Sequence, residues 1–253
     1  MSITANSLIR DSVNFFKNQL NGLLTISLLA TVVSVVIYYL MIPNKEMIAV
    51  VFEAQNKLAE SGNAGLQEWI KELSDQDKSS ILRVSFGLIL SITLGSLLLV
   101  SGTLSYILAL SKGEEVSGLQ ALLQSSGKLV SMFVLLLVCS LLIQLGTAVM
   151  ILPGVILAIG FSLAPSILMT EKVNPFSAMA RSWKLAYANW RIILPMILIW
   201  MASQMLVGLL LGHIPLPDII INGLSFFINN IIAAFVLIYF FRLYMLVQPP
   251  QAQ

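Results

Sequence analysis

The sequence predicts an all-α polytopic membrane protein, with six transmembrane helices and short interfacial amphipathic helices between them. Three observations predict it. The residue set is 58% hydrophobic and only 10% charged, where a soluble domain averages about 45–50% apolar and about 25% charged. Six apolar segments meet or approach the roughly 20 residues that a spanning helix needs. The lysines and arginines are sorted between alternate gaps of those segments. A soluble chain of 253 residues with mean hydropathy +0.91 would have too little polar surface to cover its core, so the surplus faces lipid. Helices must do the spanning, because unpaired backbone groups in hydrocarbon cost several kcal/mol. No strand alternation is present to build a barrel.

The spans are expected at about 22–42, 84–110, 129–152, 155–170, 192–212 and 219–241, in a single membrane domain covering 1–253. The second is longer than the bilayer requires and should tilt or protrude. The third and fourth share one stretch, Leu129 to Thr170, interrupted by Pro153-Gly154. Proline cannot donate to the preceding turn and glycine permits a reversal, so the pair signals a turn. One reading is a tight hairpin between two spans, which leaves a slightly short fourth span, Val155 to Thr170. The other is one kinked helix followed by a re-entrant piece. Only the hairpin's parity keeps the charge pattern coherent. The N-terminus does not read as a cleaved signal peptide: an amphipathic segment precedes a first apolar run of full spanning length, and no small-x-small site ends that run.

Charge then sets the orientation, because cytoplasmic loops carry the lysine and arginine excess. Of the 14 basic residues, nine fall on one side: Arg10, Lys17, Lys112, Lys128, Lys172, Arg181, Lys184, Arg191 and Arg242. Lys45, Lys57, Lys71 and Lys78 share one loop of the other side with seven acids, and Arg83 lies at the start of the second span. Both termini are therefore expected in the cytoplasm of a bacterial cell inner membrane, with the acidic loop 43–80 in the periplasm. In that outside loop Ile48, Val51, Phe52, Gln55, Leu58 and Ala59 follow helical spacing, and Ser61-Gly62-Asn63-Ala64-Gly65 breaks the chain. Leu66, Trp69, Ile70 and Leu73 form a second amphipathic stretch. Ser74 followed by Asp77 resembles a capping box opening the second spanning helix.

Three cytoplasmic segments share a plan. Ile9, Val13, Phe16 and Leu20 form a stripe before the first span. Leu119, Leu122 and Leu123 form one before the third. Phe176, Met179, Trp183, Tyr187 and Trp190 form the clearest, before the fifth, with Arg181, Lys184 and Arg191 on its flank. Aromatic residues beside basic ones suit a helix lying at a lipid headgroup surface. Anionic headgroups favour it by about 1 kcal/mol per basic residue. Arg181, Trp183, Lys184, Trp190 and Arg191 are the candidate headgroup-facing residues. The repeated plan suggests three units, at about 1–110, 111–172 and 173–253, each an amphipathic helix followed by an out-and-back pair of spans.

Several of these residues carry a resemblance. Met1-Ser2-Ile3-Thr4-Ala5-Asn6-Ser7, Arg10-Asp11, Asn14-Phe15-Phe16, Leu152-Pro153-Gly154-Val155-Ile156 and the run Leu237 to Leu246 resemble the YciC-type family of uncharacterised bacterial inner-membrane proteins. That resemblance covers essentially the whole chain and implies six spans, with no established activity to carry over. More loosely, Pro153-Gly154, Ala164-Pro165, Glu171, Arg181-Ser182-Trp183-Lys184-Leu185 and Asn189-Trp190 are similar to the non-catalytic membrane domains attached to some glycerophosphodiester phosphodiesterases. That likeness implies lipid contact.

No phosphate-binding glycine loop, zinc-ligand pair or serine nucleophile elbow is legible, so no catalytic, metal or cofactor site is expected and the chain does not read as an enzyme. His213 and Asp218 share an outside loop as solvated residues, as do Glu114 and Glu115 beside Lys112. Cys139, the only cysteine, reads as a buried apolar residue. The basic residues form no dense stripe away from the membrane flanks, which argues against nucleic acid as a partner. No ionisable residue lies near the centre of a span, which counts against a proton-coupled carrier. Four amides remain there, Gln144, Gln204, Asn229 and Asn230. They serve either as interhelical glue worth about 0.6 kcal/mol per contact or as a polar layer lining a cavity. Small residues four apart (Gly87, Ser91, Gly95; Gly154, Ala158, Ser162; Gly208, Gly212) allow close packing, within the chain or in self-association. Pro165 is expected to bend the fourth span.

The function expected from this is a non-enzymatic envelope protein that binds membrane lipids or a membrane-protein partner. The alternative is a small carrier or channel for a neutral or lipidic solute.

Overall fold

A computed structural model describes residues 5–42, 47–53, 56, 69, 71 and 73–248. Among them every regular element is a helix. The principal helices are α1 (Ala5–Asn18), α2 (Leu20–Met41), α3 (Asp75–Ser111), α4 (Gly118–Gln124), α5 (Leu129–Val149), α6 (Ile151–Phe161), α7 (Ala164–Thr170), α8 (Pro175–Ala188), α9 (Trp190–Gly212) and α10 (Asp218–Val247). A short 3₁₀ turn, Ser125–Lys128, joins α4 to α5. Among the described residues six stretches are long and apolar enough to cross a membrane: Leu20–Met41, Asp75–Ser111, Gly118–Ala148, Ile151–Thr170, Trp190–Gly212 and Asp218–Val247. Three times in the chain order, a short helix precedes a pair of long ones.

The chain forms two compact units, Val32–Leu94 and Met1–Thr31 with Gly95–Gln253. In the smaller unit, Ser34 and Ser91 each donate to the other's carbonyl, at 3.2 and 2.7 Å. Gly87 has no Cβ where one would stand 2.6 Å from Met41, so the two helices approach closely. Arg83 Nε caps the end of α2 by donating to Met41 O at 2.9 Å. Helix α3 opens at the Ser74–Asp77 pair: Asp77 N–H donates to Ser74 Oγ at 3.1 Å, and Ser74 Oγ–H returns to the Asp77 carboxylate at 2.6 Å. With 37 residues, α3 is about 55 Å long at the helical rise, so it starts well before the expected span at 84–110. Residues 47–53 are helical. Most of the remaining outside loop, including the break at Ser61 to Gly65, lies outside the described residues.

In the larger unit the helix ends meet. Tyr106 Oη donates to Gln19 Oε1 at 2.9 Å, and Gly22 leaves room for the Tyr106 ring, which a Cβ would meet at 2.3 Å. Gly118, at the start of α4, abuts the Gly22 carbonyl. Ser117 and Gln120 form the reciprocal capping box that starts α4. Phe16 meets Phe235 edge-on at 6.0 Å, and the Arg242 guanidinium lies over the Phe15 ring at 5.5 Å. Helix α1 thus meets α10 through Phe15 and Phe16; of the expected stripe, Ile9, Val13 and Phe16 are half-buried and Leu20 exposed, while Leu8 and Ser12 are the buried residues of the helix.

The reversal inside Leu129–Thr170 is three residues earlier than Pro153-Gly154 suggests. Met150 alone is extended, with φ −161° and ψ 154°. Pro153 is the third residue of α6, where its missing N–H would be unpaired in any case. Gly154 serves the packing, since a Cβ there would lie 2.0 Å from Thr147 Oγ1. Two antiparallel helix runs result. The second breaks at Ser162–Leu163, with Pro165 in the first turn of α7.

Candidate functional site

The ends of four elements are tied together by one polar network in the larger unit. The Lys128 ammonium donates to the carbonyls of Leu168, Met169 and Glu171 at 2.9, 2.7 and 3.3 Å. It thereby satisfies the orphan carbonyls at the end of α7, where a cation also suits the helix dipole. Tyr244 Oη, near the end of α10, donates to Glu171 Oε1 at 2.9 Å and accepts from Thr170 Oγ1 at 2.9 Å. The other Glu171 oxygen pairs with Arg181 of α8. The start of the third span, the ends of the fourth and sixth, and helix α8 therefore lie at one end of this unit.

Helix α8 begins at Asn174-Pro175. The Asn174 side chain accepts from Ser177 N–H at 2.8 Å, and proline occupies the first helical position, where its fixed φ is favourable. Its inward face is Ala178, Ser182 and Ala186, all fully buried. Ser182 Oγ donates to Gly160 O at 2.6 Å and accepts from Leu163 N–H at 3.2 Å, so it satisfies two backbone groups freed by the break in the fourth span. Trp183 packs on Gly160 where a Cβ would stand 2.2 Å from its ring. Phe161 and Tyr187 flank it at 5.6 and 5.0 Å. Tyr187 Oη donates to Ile156 O at 2.9 Å, and burial raises its hydroxyl above the usual tyrosine value.

The residues expected at headgroups thus divide. Arg181 is committed to Glu171, and Trp183 rests on the fourth span while remaining 37% exposed. Lys184 and Arg191 are exposed. Trp190 is 43% exposed, with the Arg191 guanidinium 5.7 Å from its ring centre. Met179, from the expected stripe, is buried, while Phe176 is 64% exposed. The inward face was present in the sequence as small residues four apart, Ala178, Ser182 and Ala186.

The four amides are not gathered into one hydrogen-bonded set. Asn230 Nδ2 donates to Thr31 Oγ1 at 3.0 Å, and Thr31 Oγ1 donates on to Ser27 O at 2.7 Å. This joins the sixth span to the first. Asn229 Oδ1 is buried without a hydrogen-bond partner among the described residues, as is Trp200 Nε1 on α9. Gln204 is half-buried and Gln144 exposed. His213 Nδ1 lies 2.6 Å from Leu209 O at the end of α9. Cys139 is a buried free thiol. Among the described residues no group of three or more His, Cys, Asp or Glu is placed to hold a metal.

The model of an uncharacterised protein family, UPF0259, matches residues 1–246. A UPF0259 membrane protein of Photorhabdus laumondii is 42% identical over 252 residues, covering 99% of this chain and 98% of that protein. One from Serratia proteamaculans is 38% identical over 253 residues, covering 98% and 100%. One from Yersinia pestis is 37% identical over 250 residues, covering 98% of each. No solved structure matches.

Proposed function

We propose a lipid-binding, non-enzymatic role for this chain, which belongs to the UPF0259 family of uncharacterised membrane proteins. The protein is a multi-pass component of the bacterial inner membrane with both termini in the cytoplasm. Support for that orientation is the sorting of lysine and arginine. Contacts of α1 with α10, Phe16 on Phe235 and Arg242 over Phe15, support placing the termini on a common side. The observation that carries the role is helix α8. It is fixed to the fourth span through Ser182 and Trp183 while presenting Phe176 and Lys184 outward, and Trp190 and Arg191 at the start of α9 are exposed next to it in the chain. Exposed aromatics beside exposed cations match the headgroup layer of an anionic leaflet. A membrane-protein partner, or a second copy, would use the same lipid-facing surface.

The test is thermal unfolding of the full chain in vesicles of rising anionic-lipid fraction. Binding to the folded state raises stability by mass action. The midpoint should rise for the wild type and respond less in a Lys184→Gln, Arg191→Gln variant. An equal response in both would sink the reading.

A second reading, a carrier or channel for a neutral or lipidic solute, draws on the orphaned Asn229 acceptor and Trp200 donor. Solute flux in liposomes that is lost in Asn229→Leu would favour it.

A further inference from the structure

Close to the polar network, the larger unit holds a cavity of about 220 Å³. It lies among the end of α3, the Ser125–Lys128 turn and the end of α7. Leu108, Ala109 and Met169 supply apolar lining. Ser105 also lines it, only 8% exposed, and the Ser105 hydroxyl has no hydrogen-bond partner among the described residues. The hydroxyl is open to the cavity rather than sealed in the core, so it is free to bond an occupant. Lys112, Lys128 and Glu114 also line the cavity. Lys128 is held in place by its three carbonyls. Lys112 and Glu114 are exposed and have no ion-pair partner among the described residues.

We infer that this cavity takes the phosphodiester headgroup of a membrane phospholipid that also carries a hydrogen-bond donor, an ammonium or a hydroxyl. The inference rests on the lipid-binding role proposed above. The Lys112 ammonium can donate to a phosphate, Lys128 adds only its charge because its three N–H groups already donate to carbonyls, and a free carboxylate in the same cavity suits an N–H or O–H. A trimethylammonium headgroup offers no such donor. The volume accommodates a headgroup and not its acyl chains. For the chains, Leu123 and Val130, which flank the lining residues Gln124, Ser125, Gly127 and Lys128 in sequence, offer apolar surface at 65% and 79% exposure. That exposed apolar surface favours a lipid over a soluble phosphate ester.

Gly127 provides the test. It lines the cavity, a Cβ added there meets open space, and its φ lies outside the left-handed region, so Gly127→Trp fills the cavity without backbone strain. The full chain would be mixed with phosphatidylethanolamine, phosphatidylglycerol and phosphatidylcholine of identical acyl chains, and the retained lipid counted by native mass spectrometry. One phosphatidylethanolamine or phosphatidylglycerol per chain is expected, favoured over phosphatidylcholine by about tenfold. Gly127→Trp should abolish it, Lys112→Gln should weaken it by about fivefold, and Glu114→Gln should erase the discrimination against phosphatidylcholine. Undiminished, selective lipid retention by folded Gly127→Trp would overturn this site and leave the lipid-binding role standing. No lipid retained by the wild type would overturn both. Binding of glycerol phosphate to the lipid-free chain, lost in Gly127→Trp, would overturn the lipid as its source. If Gly127→Trp fails to fold, Lys112→Glu decides: retention equal to wild type overturns the site, and loss supports it.

Discussion

The Ser182 hydroxyl donates to the carbonyl of Gly160 across 2.6 Å, at the break in the fourth span. With its bond from Leu163 N–H, it replaces the helical partners that the break removes. Ser182→Ala leaves two buried backbone groups unpaired, at about 1–3 kcal/mol each. It should lower the thermal midpoint in detergent clearly, and Ser182→Val should lower it further by adding bulk. An unchanged midpoint would mean that α8 contributes nothing to holding the break.

Gly160 faces the Trp183 ring so closely that even a methyl group must displace it. Gly160→Ala is expected to destabilise by about 1–3 kcal/mol, the usual cost of overpacking. It should also shift the Trp183 emission as the ring moves outward, read in a variant whose other tryptophans are phenylalanine. Unmoved emission together with full stability would contradict the packing.

Glu171 has two partners of unequal worth. Arg181 is more than half exposed on its side chain, and exposed ion pairs contribute about 0.2–1 kcal/mol. Tyr244 is fully buried, so removing its hydroxyl leaves the carboxylate less satisfied in a poorly solvated place. Tyr244→Phe should therefore cost more than Arg181→Gln, and only the latter should be masked by high salt. The reverse order in chemical denaturation would refute this ranking.

Asn230 and Thr31 form one bond between the sixth and first spans. Amide contacts of this kind average about 0.6 kcal/mol, so Asn230→Leu should be mild. Adding Thr31→Val should cost little more than either alone, because the pair shares its energy. Additive losses in the double variant would rule out a direct bond.

How much of this was legible depends on what each signal measures. Long apolar runs and their charge asymmetry mark spans in any sequence, because hydrocarbon admits little else. The Ser74–Asp77 cap is local, and local chemistry is readable. Pro153 misplaced the reversal by three residues, because proline inside a first turn costs nothing and so does not mark the end of a helix. Large apolar residues look alike whether they meet lipid or protein. Stripe reasoning therefore put Met179 outward, while the small residues Ala178, Ser182 and Ala186 face the protein. Thr31 as partner of Asn230, and the α7 carbonyls as partners of Lys128, depend on which helices neighbour one another, and spacing along one chain does not encode that.

Lipid binding at the headgroup level is best tested by purifying the full chain in native-lipid nanodiscs and identifying by mass spectrometry what stays bound. The account expects a stoichiometric phospholipid that falls away when Lys184, Trp190 and Arg191 are replaced together with Lys112. Bulk lipid alone, unchanged by those substitutions, would contradict it.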